Sequence, residues 1–225
     1  MGKRIFLFLA TNFAIVLTLS IVWSLLSAAG IVGAGSNIGG LATLCLFWGM
    51  GGAFISLQMS RFIAKQAMGV QLVDGRSGHA DADWLYGTIR QLTDRAGLPM
   101  PEVGIYDSPE VNAFATGPSK SRSLVAVSSG LLRSMQRDEV EGVLAHEVSH
   151  IANGDMVTMT LIQGVVNAFV MFFARVIANI LRSAVDERMS GAVYFMTLIV
   201  LQIGLGLLGS VVVCWFSRAR EFRTE

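Results

Sequence analysis

The sequence is short of charge. After Lys3 and Arg4 no charged residue occurs until Arg61. Charged residues make up 15% of the chain, against roughly a quarter in soluble domains. With a mean hydropathy of +0.58, this excludes a water-soluble protein throughout and makes a membrane protein the first expectation. Cysteine is scarce as well. Cys45 and Cys214 both sit inside apolar runs and lack the spacing of a disulfide framework or a cysteine-based zinc site. No block of basic residues exists and the net charge is +1, so nothing points to nucleic acid. No glycine-rich phosphate loop is present, so nothing points to a nucleotide. Internal repeats and low-complexity segments are also absent.

What is present divides into apolar runs and one polar insert. Residues 5–26 and 38–59 are each long enough to cross a hydrocarbon core, and a small, glycine-rich stretch separates them. The first exceeds the ~7–15 residues of a signal-peptide core and a second span follows it, so residues 1–65 read as two membrane helices. Residues 66–156 regain charge, and three of the four prolines, Pro99, Pro101 and Pro109, cluster near the middle of this segment. There the spacing of Trp84, Leu85, Ile89 and Leu92 predicts a helix over 81–96. Residues 103–106, 111–116 and 124–128 read as short strands. A further helix begins near Asp138, with Glu141 completing a capping box, and stops at Asn153-Gly154. Two more apolar segments follow at 157–181 and 193–216, then a polar tail at 217–225. The fold class is therefore a mostly α membrane protein: four apolar helices with a small α+β domain inserted between the second and third.

Positive residues set the orientation. Lys3 and Arg4, Arg61 and Lys65, and Arg218, Arg220 and Arg223 fall on one side of a four-pass chain. Both termini and the 66–156 segment should face the cytoplasm.

The chemistry sits in "AHEVSHIANGD" at 145–155. Residues i and i+4 share one helix face, so His146 and His150 can offer ring nitrogens to one metal ion. Glu147 projects beside that ion and can move a proton to and from a water molecule. Zinc suits such a site and lowers the pKa of its water towards ~7. With three histidines in the chain, chance would give this pattern in about 0.1% of such sequences by random placement. A catalytic zinc needs a third protein ligand, and no histidine follows His150. His79, upstream in a polar stretch, reads as a surface residue. Asp155, just past the glycine stop, reads as a cap or as support for a ligand. Glu187 should lie across the membrane. Glu221 is cytoplasmic, just after the fourth apolar segment, and is the expected third ligand. Glu225, one turn later, could orient a histidine.

Several stretches closely resemble the HtpX-type bacterial membrane zinc metalloproteases of the gluzincin group: "FLFLATNFAI" at the start, "NAFATG" at 112–117, "LVAVSSGLL" at 124–132, "AHEVSHIANGDMVTMTLIQGVVN" at 145–167 and "WFSRAREF" at 215–222. The likeness runs from residue 1 to 222. It implies a zincin-like domain and an inner-membrane endopeptidase of heat-shock quality control. One zinc ion per chain would be held by His146, His150 and Glu221, and unfolded or misfolded polypeptide would be the substrate. In such proteases the third ligand opens an E-x-x-x-D pattern, which maps onto Glu221 and ends here in Glu225 in place of aspartate. The resemblance also makes Asn112 and Ala113 candidates for a strand that pairs with extended substrate. Proteins of this type continue with further helices, so the chain reads as a C-terminally truncated form, with a catalytically inactive membrane module as the alternative.

The third apolar segment carries Gln163, Asn167, Arg175 and Asn179 at multiples of four, within one half of a helix surface. They read as a stripe packing against other spans, with a polar channel as the alternative.

Overall fold

The computed structural model describes residues 38–224. The first apolar run, 5–26, and Glu225 lie outside the described residues. In chain order the elements are α1 (Ile38–Met68), β1 (Gln71–Val73), α2 (Ala80–Arg95), β2 (Glu102–Tyr106), β3 (Ala113–Ser119), β4 (Arg122–Ser128), α3 (Ser129–Ser134), α4 (Arg137–Asn153), α5 (Asp155–Ser183) and α6 (Glu187–Thr224).

Among the described residues three stretches are long and apolar enough to cross a membrane: Gly40–Met68, Asp155–Ser183 and Met189–Ala219. The helices overrun the predicted 38–59, 157–181 and 193–216. Hydropathy marks only the part immersed in hydrocarbon. Backbone hydrogen bonding carries a helix on into the headgroup layer, and 29 residues at 1.5 Å each reach about 43 Å, beyond the ~30 Å core.

The described chain forms two compact units. One joins 38–52 to Ile162–Trp215, and the other joins Ala53–Leu161 to 216–224. In the first, Leu41, Cys45 and Met171 are buried among Trp48, Phe172 and Val176, and Ala178 packs on Leu198 beside Tyr194. Lipid chains are as apolar as leucine, so association here depends on close backbone approach. Gly49 supplies it: a Cβ there would lie 2.7 Å from the Gly164 carbonyl oxygen and 2.8 Å from the Ala168 Cβ. Gly49→Leu should therefore lower the thermal midpoint of the detergent-solubilised protein, by about 1–3 kcal/mol of overpacking. Gly52, with nothing within 4 Å of its Cβ position, is the control. Equal midpoints for Gly49→Leu and Gly52→Leu would refute the close approach.

In the second unit a four-stranded sheet has the order β1-β2-β4-β3. β2 and β4 run parallel, and β1 and β3 are antiparallel to their neighbours. Alternation along the strands sends Val103, Val125 and Val127 into a core with Leu85 and Ile89 of α2 and Val140, Leu144 and Ile151 of α4. The opposite set, Tyr106, Leu124 and Ala126, packs with Ala64, Val70 and Phe114. On β2, Glu102 accepts from Lys65 at 2.9 Å and pairs with Arg61 at 3.2 Å, so two cations at the end of α1 hold the sheet to that helix.

Local chemistry differs from the sequence reading in four places. The capping box of α4 is formed by Gln136 and Glu139 in place of Asp138 and Glu141, because the helix starts two residues earlier than a cap at Asp138 would give, at Arg137. The third strand begins at Ala113 in place of 111, because residues 108–112 are tied down first. Ser128 Oγ donates to the Glu110 carbonyl, and Gly130 N–H donates to the Ser108 carbonyl. Two elements had no periodic signal. β1 has three residues and exists by pairing Gln71 with Ile105. α3 has six residues and is capped by Ser128, whose hydroxyl accepts from Leu131 N–H.

Candidate metal centre

α4 owes its placement to one apolar stripe. Val140, Leu144, Val148 and Ile151 are buried at three- and four-residue spacing. His146, Glu147 and His150 are half-buried on the remaining surface. The two rings meet edge to face, with centroids 4.6 Å apart and planes at 82°, and their Nε2 atoms are 3.1 Å apart. A zinc ion bonded to both at ~2.0–2.1 Å would subtend about 95–102° between them, close to tetrahedral. The histidine pair thus fits a single zinc ion.

Asp155 stands against the other ring nitrogen of His150. Its Oδ2 is 2.7 Å from His150 Nδ1, with side-chain exposures of 12% and 17%. An N–H held at Nδ1 leaves the lone pair on Nε2. Gly154 makes this contact possible. It adopts φ +69, ψ +31 and its N–H bonds back to the His150 and Ile151 carbonyls. α5 then starts at once, bringing its first residue over His150, and the positive N-terminal end of α5 favours a carboxylate there. Ser149 adds a bond within the helix, its hydroxyl donating to the His146 carbonyl at 2.5 Å. Among the described residues no cluster of three potential ligands forms. Glu221 falls on α6, but its side chain lies outside what is described, as does Glu225. His79 is exposed at the start of α2.

β3 is one of the two edge strands of the sheet. Ser128 N–H donates to the Asn112 carbonyl at 2.9 Å and Asn112 N–H donates to Ser128 Oγ at 3.1 Å. The backbone of Asn112 therefore turns inward, toward β4. Antiparallel ladders alternate, so the N–H and C=O of Ala113 and Ala115 turn outward. Of the two substrate-edge candidates, Ala113 presents backbone groups to the open edge and Asn112 does not. Ala115 is the position that sequence reasoning missed, because only the register separates inward from outward residues. Beneath this corner the Tyr106 hydroxyl is enclosed without a hydrogen-bond partner of good geometry. Burial pushes its pKa up, opposed by the nearby Asn112 and Ser128 side chains.

The profile of Peptidase family M48 matches residues 79–225. The chain belongs to peptidase family M48. Its relatives place it among the HtpX-type members. It is 52% identical to Protease HtpX of Idiomarina loihiensis over 99% of this chain and 77% of that protein. It is 54% identical to Protease HtpX of Aeromonas salmonicida over 99% of this chain and 79% of that protein. A solved structure, the crystal structure of S. mikatae Ste24p, aligns with 70% of this chain and 39% of that one at 21% identity and a TM-score of 0.44, too distant to bear on the fold. The M48 chain is thus a protease of a membrane metalloprotease family, with three helices among the described residues able to cross a bilayer.

If Asp155 holds the tautomer of His150 in this M48 site, Asp155→Asn should lower zinc affinity about 10–100-fold. Competition against a chromophoric chelator measures this, and unchanged affinity would remove Asp155 from the site.

Proposed function

We propose that the chain is a zinc endopeptidase of the bacterial inner membrane that cleaves unfolded or misfolded polypeptide. One zinc ion per chain is held by His146, His150 and Glu221, and Glu147 is the general base. The observation that carries this reading is the convergence of two Nε2 atoms at 3.1 Å with Asp155 on the far nitrogen of His150.

When bound, zinc supplies Lewis acidity and makes hydroxide available near neutral pH. Glu147 takes the proton of the attacking water and returns it to the leaving nitrogen. Asp155 keeps His150 in one tautomer while this happens. The outward backbone of Ala113 and Ala115 pairs with an extended substrate. Main-chain pairing tolerates many sequences, which suits unfolded chains as a class. The Asn112 side chain stands at the start of that edge. The distribution of Lys and Arg supports a cytoplasmic site with both termini on the same side.

The test is cleavage of an unfolded model protein by the detergent-purified chain. A zinc chelator should abolish cleavage, and added zinc should restore it. Cleavage that persists in chelator would sink the reading.

A further inference from the structure

The unit that holds 162–215 carries a charge that proteolysis does not use. Arg175 is the sole charged residue in any of the four apolar runs, and it is 7% exposed. Its guanidinium donates to the Met171 carbonyl at 3.3 Å and interacts with the Cys45 thiol. Neither partner is an anion, and among the described residues Arg175 forms no ion pair with a carboxylate.

A second cation stands on the same face. Arg182 follows seven residues later, two turns and about 10 Å along the axis, in the last turn of α5. Its guanidinium lies over the Tyr194 ring, 6.0 Å from the centroid. Tyr194, on α6, feels the charges of both arginines. Asp186, the next acid along the chain, is exposed, and its backbone carbonyl accepts from Met189 and Ser190 at the start of α6.

Depth selects the ligand. Arg182 is one residue from the end of a 29-residue membrane-length helix, at headgroup level. Arg175 is eight residues from that end, about 12 Å inward, just inside the hydrocarbon. Two guanidinium groups on one helix face, one at each side of that boundary, suit a phosphate, which each can bind through paired N–H groups. A phosphate at that depth is attached to a lipid, because a free phosphate would have to leave water to reach it. We propose that Arg175 and Arg182, with Tyr194 beside Arg182, hold the phosphate of one anionic phospholipid at the Ser183 end of α5.

Native mass spectrometry of the full chain, released from detergent after incubation with equal amounts of phosphatidylglycerol and phosphatidylcholine, tests this. One retained phosphatidylglycerol is expected, about tenfold or more above phosphatidylcholine, with the preference lost in both Arg175→Gln and Arg182→Gln. Arg182 is exposed, so its variant answers even if Arg175→Gln fails to fold. Arg218→Gln, at the far end of another span, should retain the lipid. Equal retention of the two lipids overturns the proposal, and so does full retention by Arg182→Gln. Displacement of the lipid by millimolar inorganic phosphate would also overturn it, because the site would then take free phosphate.

Discussion

Glu147→Gln is expected to keep its zinc and lose its proteolysis. The amide has the size of the carboxylate, so the buried stripe of α4 and the histidine pair are undisturbed. It cannot take a proton from water. General acid-base groups contribute about 10²–10⁴-fold, and cleavage of an unfolded protein should fall by that much while zinc per chain stays at the parent value. The readout is product formation by both proteins, purified identically, beside their metal content. Equal cleavage would mean that Glu147 is not the base or that another protease is being measured. Loss of zinc together with cleavage would mean that Glu147 acts on the metal and not on water.

The second large effect concerns Glu221. Two imidazoles from adjacent helical turns do not complete a catalytic zinc site, which needs three protein ligands. Glu221→Ala is therefore expected to remove zinc almost wholly from the purified chain and to abolish cleavage. Glu225→Ala should have a smaller effect, about 10–100-fold in affinity. Asp155 already holds His150 Nδ1 at 2.7 Å, so a supporting role for Glu225 would fall on His146. Full zinc occupancy in Glu221→Ala would move the third ligand elsewhere in the chain.

The histidine pair was legible because its spacing is helical and its flanking apolar residues fix which face is buried. Val140, Leu144, Val148 and Ile151 turn inward, which leaves His146 and His150 on the opposite side. Gly154 was legible as a stop because a left-handed residue there favours glycine. Its further effect was not, since only the fold shows that the next residue swings onto His150. The capping box was misplaced by two residues because Asp138 and Glu141 have the right spacing as well, and only the true start of the helix distinguishes the pairs. β1 escaped detection because three residues carry no period, and its existence depends on β2. Asn112 and Ala113 were named together from resemblance, yet the antiparallel register sends one inward and the other outward. The three described membrane helices were clear from hydropathy, whereas their true ends were not, since helical hydrogen bonding does not stop where hydrocarbon does.

Zinc K-edge absorption on the purified chain tests the central claim most directly, because it reports the ligand set without relying on activity. The account predicts one zinc per chain with two imidazole nitrogens at ~2.0–2.1 Å, oxygen in the remaining positions and no sulfur, the signal disappearing in His146→Ala and His150→Ala. A sulfur shell from Cys45 or Cys214, or an unchanged spectrum in either histidine variant, would contradict it.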